Sequence, residues 1–378
     1  MISFLRQGTI ALCLTLLTLC LVACRQGHDR ENGDTNADTD RKETQQAVTI
    51  SLIEPKNGAT EVQITNDLVL SYLKLPFAMD ACDPFFDLER DKFQPAEIVF
   101  SWEGKADTLY LATDEAFADP WSYPVSGNTL TLDGLMGNTT YYWKVTGEEG
   151  TSEVFSFTTA ATPRTVNIDG VTNTRDMGGW QTEDGQVLKQ GIVYRTATLD
   201  KITEEGIAYC RDVLRIRTEL DLRKADEGNA GVSPLGEDVN YIQISSPYYG
   251  ASVGNIYDPA NYEALRQILQ VFADPDNYPI LFHCTVGRDR TGTVAFVLQA
   301  LCGMGRDAIF QEYDLSLFSA NGDHKPSVMH KNFFVPLYRG MAQRGDGTLQ
   351  ENTVQYCLEI GLTMEEIDAI RANLLANR

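Results

Sequence analysis

A chain of 378 residues exceeds one average domain, and a hydrophobic content of 43% is enough to fill more than one core. The formal charge of −22 excludes a general affinity for nucleic acid, whose backbone demands a basic face. An anionic substrate must therefore be held locally, by a few arginines working against an unfavourable overall field.

In chain order, residues 1–23 read as a secretory signal. Arg6 supplies a short positive region, and Ile10 to Val22 is almost wholly apolar but too short for a comfortable membrane span. Leu21-Val22-Ala23-Cys24 resembles a bacterial lipobox, which implies lipidation of Cys24 and a new N-terminus there; an ordinary signal peptide or N-terminal anchor is the alternative. Residues 24–47 are polar, charged and nearly free of large apolar groups, so they are expected to form a disordered tether reaching roughly 25 Å. The lipobox implies a lipid-anchored place in the bacterial cell envelope, with the membrane as a partner through the N-terminal lipid. Beyond Cys24 lie Cys82, Cys210, Cys284, Cys302 and Cys357, an odd number without a CxxC pair or zinc-like spacing, so internal pairing leaves at least one thiol free.

Residues 48–160 alternate as strands do, in Val48 to Ile53, Thr129 to Leu132 and Glu153 to Thr158, with turn signals such as Ser126-Gly127-Asn128 between them. No helical stretch is expected to interrupt them, and Leu75 to Phe93 reads as a long acidic loop. Leu135 to Val145 resembles the corner and strand of fibronectin type III modules, in which a tyrosine hydroxyl ties down the turn; the resemblance gives Tyr141 that part. It implies an all-β, immunoglobulin- or fibronectin-like sandwich at the N-terminal end.

Ala160 to Pro163 forms a seam, beyond which strands alternate with helices, the pattern of a three-layer α/β domain over residues 163–378. Strands are expected at Gly191 to Arg195, at Thr218 to Arg223 with half-buried alternation, at Tyr241 to Ile244, and at Ile280 to Phe282 in the sheet centre. Thr203 is positioned to cap a helix, Tyr262 to Phe272 is amphipathic, and Thr291 to Leu301 is a nearly all-apolar helix ended by Gly303. Thr363 to Glu366 forms a capping box before a last helix. Cys302 reads as a core residue, and Cys210 as a half-buried helix residue able to shield Cys284 by disulfide exchange. His324 and His330 beside Asp323 hint at metal ligation, but a solvated loop is the preferred reading and no metal is expected.

The segment His283 to Gly292 (HCTVGRDRTG) carries the chemistry. Strand, loop and helix in succession aim the loop amides and the helix dipole at one point, an anion site. Arg290 falls on the first helical turn, where a guanidinium can grip two phosphate oxygens. The same positive surroundings favour a thiolate at Cys284. Nucleophile and anion cradle thus come from one loop.

This segment resembles the phosphate loop of cysteine-dependent protein tyrosine phosphatases, and most closely the secreted bacterial tyrosine and dual-specificity branch with its His-Cys-x-x-Gly-Lys-Asp-Arg-Thr-Gly pattern. Asn173 to Gly179 (NTRDMGG), Tyr194 to Ala197 (YRTA) and Asp221 to Arg223 (DLR) resemble further elements of that branch, in order. The resemblance implies that Cys284 attacks phosphorus to give a phosphocysteine, which water then hydrolyses without any cofactor. It implies that Thr285, Val286, Gly287, Arg288, Asp289 and Arg290 hold the phosphate oxygens, that His283 supports the loop, and that Thr291 donates to the departing sulfur. No Trp-Pro-Asp tripeptide supplies the general acid; Asp289 is favoured, then Asp221, while Asp176 with Arg175 reads as a supporting turn.

Arg288 stands where the branch usually has lysine, which keeps phosphoinositides open as substrates beside phosphotyrosine and phosphoserine or phosphothreonine. An inositol polyphosphate phosphatase would need more cations than Arg175, Arg195, Arg223 and Arg288 offer. A surface lipoprotein that only captures a phosphorylated ligand is the non-catalytic alternative. The expected partner is a phosphorylated protein or small phosphomonoester, and the oligomeric state is left open.

Overall fold

Period-two alternation of β-branched and aromatic residues yields short strands between residues 51 and 159. These are β1 (Ser51–Glu54), β2 (Ala59–Val62), β3 (Ile98–Glu103), β4 (Thr108–Ala112) and β5 (Trp121–Pro124). There follow β6 (Thr129–Leu132), β7 (Thr140–Gly147), β8 (Gly150–Thr151) and β9 (Phe155–Thr159). One antiparallel sheet runs β1-β3-β6; another runs β2-β9-β7-β4-β5, with β8 paired to β7. Phe100, Trp102, Leu109, Trp143 and Phe157 share the core of this region. The Met136 amide donates to the Tyr141 hydroxyl at 2.9 Å, tying the turn before β7 to that strand. The computed structural model describes residues 50–86, 94–148, 150–246, 255–319 and 325–376; Cys24, the signal, the tether and His324 lie outside them. Residues 47–378 make up one compact unit.

The expected unbroken run of strands fails between β2 and β3. There the Asn66 side chain accepts from the Val69 amide at 3.0 Å and caps helix α1 (Asp67–Leu73), which is too short to reveal itself by periodicity. Val69, Tyr72 and Cys82 bury themselves in the core of the second half of the chain. The Tyr72 hydroxyl donates to Asp314 at 2.7 Å, Ser327 donates to Asp83 at 2.6 Å, and the rings of Phe77 and Phe310 stand 5.4 Å apart. The described part of the supposed acidic loop is therefore a clamp. It also corrects the reading of His330, which is buried, with Nε2 2.6 Å from Asp314 and Nδ1 2.8 Å from the Met79 carbonyl.

The second half builds a five-stranded sheet from β10 (Arg175–Asp176), β11 (Val193–Thr196), β12 (Thr218–Asp221), β13 (Asn240–Gln243) and β14 (Ile280–His283), in the order β10-β11-β14-β12-β13. Strands β11, β14, β12 and β13 are parallel, and β10 is antiparallel to β11. The helices are α2 (Glu204–Ala208), α3 (Tyr262–Ala273), α4 (Asp289–Cys302) and α5 (Arg306–Asp314). They continue with α6 (Pro326–Met329), α7 (Val335–Ala342), α8 (Leu349–Glu359) and α9 (Met364–Leu374). Both faces of the sheet are covered: Ile280 and Phe282 of β14 enter the larger core, and Leu281 enters a smaller one with Tyr194 and Leu214. Strand β12 is wholly buried rather than half-buried, because β13 and β14 flank it. Cys210 is likewise fully buried, in the smaller core, whereas Cys284 joins the larger one, so the two sit in different cores and Cys210 is no shield. All five described cysteines are free. Gly303 ends α4 at φ +85°, and Thr363 with Glu366 caps α9 as the sequence leads one to expect.

Register decides where the site lies. Thr196 pairs with His283, and His283 pairs with Asp221, so β11, β14 and β12 end at one level. The segments after them meet at the carboxyl edge of the sheet, where open α/β sheets place their ligands.

Candidate active site

Cys284 follows β14 directly and is almost inaccessible; the Gly287 amide donates to its Sγ at 3.2 Å. That contact needs Gly287: its φ is +73°, and a Cβ there would lie 2.3 Å from the Thr196 carbonyl oxygen. The chain then enters α4 with Asp289 as its first residue, so Arg290 stands on the first turn as its spacing implies.

Bonds from distant segments shape the loop. Arg195 Nη2 donates to the Gly287 carbonyl at 2.9 Å, and Asn173 Nδ2 donates to the Val286 carbonyl at 3.0 Å. Arg195 Nη1 also reaches Glu312 Oε2 at 2.6 Å, while Arg175 Nε takes the other Glu312 oxygen at 2.7 Å. Burial alone would favour a protonated Glu312, but the two guanidinium groups outweigh it and hold the carboxyl below its ordinary range. His283 is fixed between Glu219, 3.0 Å from Nε2, and the Cys284 carbonyl, 3.2 Å from Nδ1.

The three carboxylates considered for proton transfer occupy different surroundings. Asp289 Oδ1 accepts from Arg288 Nε and from the Tyr313 hydroxyl, each at 3.2 Å, and its side chain is partly exposed. Asp221 is buried, and burial by itself would raise its pKa. Hydrogen bonds from Arg223, among them Nη2 to Oδ2 at 2.8 Å, prevail and hold it below the usual carboxylate value. Asp176 is buried too, but its cation is Arg164, at 3.1 Å, rather than Arg175; the Gly178 and Gly191 amides complete its shell at 2.8 and 2.6 Å. Burial keeps its carboxyl above the ordinary value.

The Thr291 hydroxyl is buried and makes no hydrogen bond among the described residues, to Sγ or elsewhere. Thr285 is exposed, and its hydroxyl donates to Glu227 at 3.0 Å. Glu227 also receives both terminal nitrogens of Arg290, at 3.0 and 2.8 Å. A cavity of about 500 Å³ is lined by Leu199, Asp200, Glu219, Arg223 and Val232 among others, without a residue of the loop from His283 to Arg290 in its lining.

The structure thus brings His283, Cys284, Thr285, Gly287, Asp289 and Arg290 into one strand–loop–helix unit and sets Arg175 beneath it through Glu312. Sequence reasoning passed over Glu219, Glu227, Glu312 and Tyr313. Only Glu227 left a signal: it follows the strand ending in Asp221 and so must emerge at the edge that holds Cys284.

A model described as the tyrosine phosphatase family matches residues 166–376. A protein of Cupriavidus necator named as a tyrosine-protein phosphatase is 26% identical over 175 residues, covering 39% of this chain and 60% of that protein. A tyrosine-protein phosphatase of Nostoc commune is 28% identical over 153 residues, covering 35% of this chain and 51% of that protein. The chain therefore spans about half to three-fifths of the length of these relatives. Among solved structures, TpbA of P. aeruginosa in complex with pTyr aligns with a TM-score of 0.31 at 17% identity, covering 47% of this chain and 91% of that one.

Proposed function

The chain belongs to the tyrosine phosphatase family, and from that premise we propose that it hydrolyses phosphomonoesters through a phosphocysteine at Cys284. The observation that carries this reading is the Gly287 amide aimed at Sγ from a loop that delivers Arg290 to the first turn of α4. Sulfur attacks phosphorus and the ester oxygen departs with a proton; water then attacks the phosphocysteine, releasing phosphate and returning the thiolate. Loop amides and the Arg290 guanidinium would hold the three non-bridging oxygens as charge develops on them. Asp289 is the proton donor in this reading, since its side chain is partly exposed whereas Asp221 is wholly buried under Arg223. Thr291, whose buried hydroxyl has no partner among the described residues, would donate to the departing sulfur.

Phosphotyrosine is the proposed substrate, with phosphoserine, phosphothreonine and phosphoinositides as further members of the class. The inositol polyphosphate reading is weaker: Arg175 and Arg195 are wholly buried against Glu312, which leaves few cations to meet further phosphates. Ahead of the catalytic part, the sheets of residues 51–159 with their Met136–Tyr141 bond support a fibronectin type III-like spacer. Cys24 is the proposed lipid attachment, holding the protein in the bacterial cell envelope.

Hydrolysis of an aryl phosphate in the presence of a metal chelator, inhibited by vanadate and abolished in Cys284→Ser, is the expected result. Phosphate-ester binding without turnover by the unsubstituted chain would leave only the ligand-capturing lipoprotein. Incorporation of labelled palmitate in a bacterial host, lost in Cys24→Ala, tests the anchor.

A further inference from the structure

Glu227 occupies the guanidinium that a phosphoryl group needs. Its Oε1 accepts from Arg290 Nη1 at 3.0 Å and its Oε2 from Nη2 at 2.8 Å, while Oε2 also takes the Thr285 hydroxyl at 3.0 Å. A planar carboxylate meets the guanidinium fork with two oxygens, as a phosphate does. We propose that Glu227 is a built-in competitor for the phosphate seat: an anionic ligand binds by displacing this carboxylate from Arg290, so Glu227 sets the affinity of the site. The proposal rests on the phosphatase reading for the identity of the ligand, but not on turnover.

The loop that carries Glu227 is tied at both ends. At one end Arg223 is fixed by Asp221 and by Asp200, the latter at 2.9 Å. At the other end the Gly231 amide donates to the Tyr241 hydroxyl at 2.7 Å. Between these points Lys224, Ala225, Asp226 and Asn229 are exposed, and the Lys224 amide donates to Glu227 Oε1 at 3.4 Å, so a displaced carboxylate gives up that bond as well as those to Arg290 and Thr285. Gly228 lets the loop take the observed position. Its φ is +57°, and a Cβ there would stand 2.4 Å from Asp200 Oδ2 and 3.0 Å from Arg223 Nη1. Partial burial opposes ionisation of Glu227, but its bonds to Arg290 outweigh this and hold the carboxyl below its usual range, so the competitor is an anion at neutral pH.

The test is calorimetric titration of inorganic phosphate into the chain carrying Cys284→Ser, with and without Glu227→Gln. Glutamine keeps the shape and removes the charge, so phosphate should bind about three- to tenfold more tightly. Unchanged or weaker binding would overturn the proposal and make Glu227 a support for Arg290. If phosphate binds in neither background, the phosphate-site reading falls and the competitor falls with it. Gly228→Ala leaves the carboxylate intact but unseats the loop. It should tighten binding in the same direction, and a failure to do so would count equally against the proposal, including where the glutamine variant does not fold.

Discussion

Asp289 and Asp221 are chemically identical side chains in different surroundings. Asp221 is buried under the Arg223 fork, and a carboxyl held low in this way is a poor proton donor at neutral pH. Asp289 opens α4 beside a partly exposed edge, with the Tyr313 hydroxyl as a second neighbour. Asp289→Asn should therefore flatten the alkaline limb of the pH–rate profile and lower kcat for an alkyl phosphate by about 10²-fold, with a smaller effect on an aryl phosphate whose leaving group needs less help. Asp221→Asn should keep that limb and instead alter stability. Because the folded pKa of Asp221 lies below its ordinary 3.8, its contribution is complete above that value and is lost as pH falls through the folded one. Acid unfolding followed by circular dichroism should accordingly be less steep in Asp221→Asn; loss of the alkaline limb in this variant would exchange the two roles.

At the scale of elements, the loop owes its shape to a relay of charges. Arg175 on β10 and Arg195 on β11 share Glu312 of α5, and Arg195 passes the constraint to the Gly287 carbonyl. A buried carboxylate between two guanidiniums contributes little net stability over an apolar replacement, but its removal strands two positive charges. Glu312→Gln should cost about 3–5 kcal/mol in urea unfolding. The same variant should bind phosphate more weakly, since the anchor of the loop loosens with it. A loss of stability without a loss of phosphate affinity would show that the relay supports the sheet alone.

At the scale of the whole molecule, residues 66–86 join the strand-rich first half to the helices of the second. Tyr72 and His330 converge on Asp314 from opposite ends of the chain. Tyr72→Phe leaves one buried oxygen of Asp314 short of a donor and should cost about 1–3 kcal/mol. Burial would lower the pKa of His330, yet Asp314 and the Met79 carbonyl prevail and raise it above 6.5. The stability it adds is thus complete below its ordinary value and is lost as pH rises through the raised one. The melting temperature should decline on the alkaline side in the unsubstituted chain, and His330→Gln should remove that decline. A slope that persists in the variant would assign it to another group.

What the sequence by itself determined was everything written in neighbouring residues. The loop from His283 to Gly292, the apolar helix behind it with its glycine stop, the Thr363 capping box and the strands on either side are set by local periodicity, capping and φ preference, which act within a few positions along the chain. The tertiary structure decided the partners. Glu219 meets His283 across 64 residues, Glu312 meets Arg195 across 117, and Tyr72 meets Asp314 across 242. No local pattern encodes such pairings, and helices α6 and α7, short and interrupted, gave little periodic sign of themselves, whereas Thr348 and Glu351 ahead of α8 form a local start signal of the same kind as that of α9. These contacts arise because parallel strands bring distant segments to one edge, and because a buried charge must find its counter-charge wherever the fold carries it.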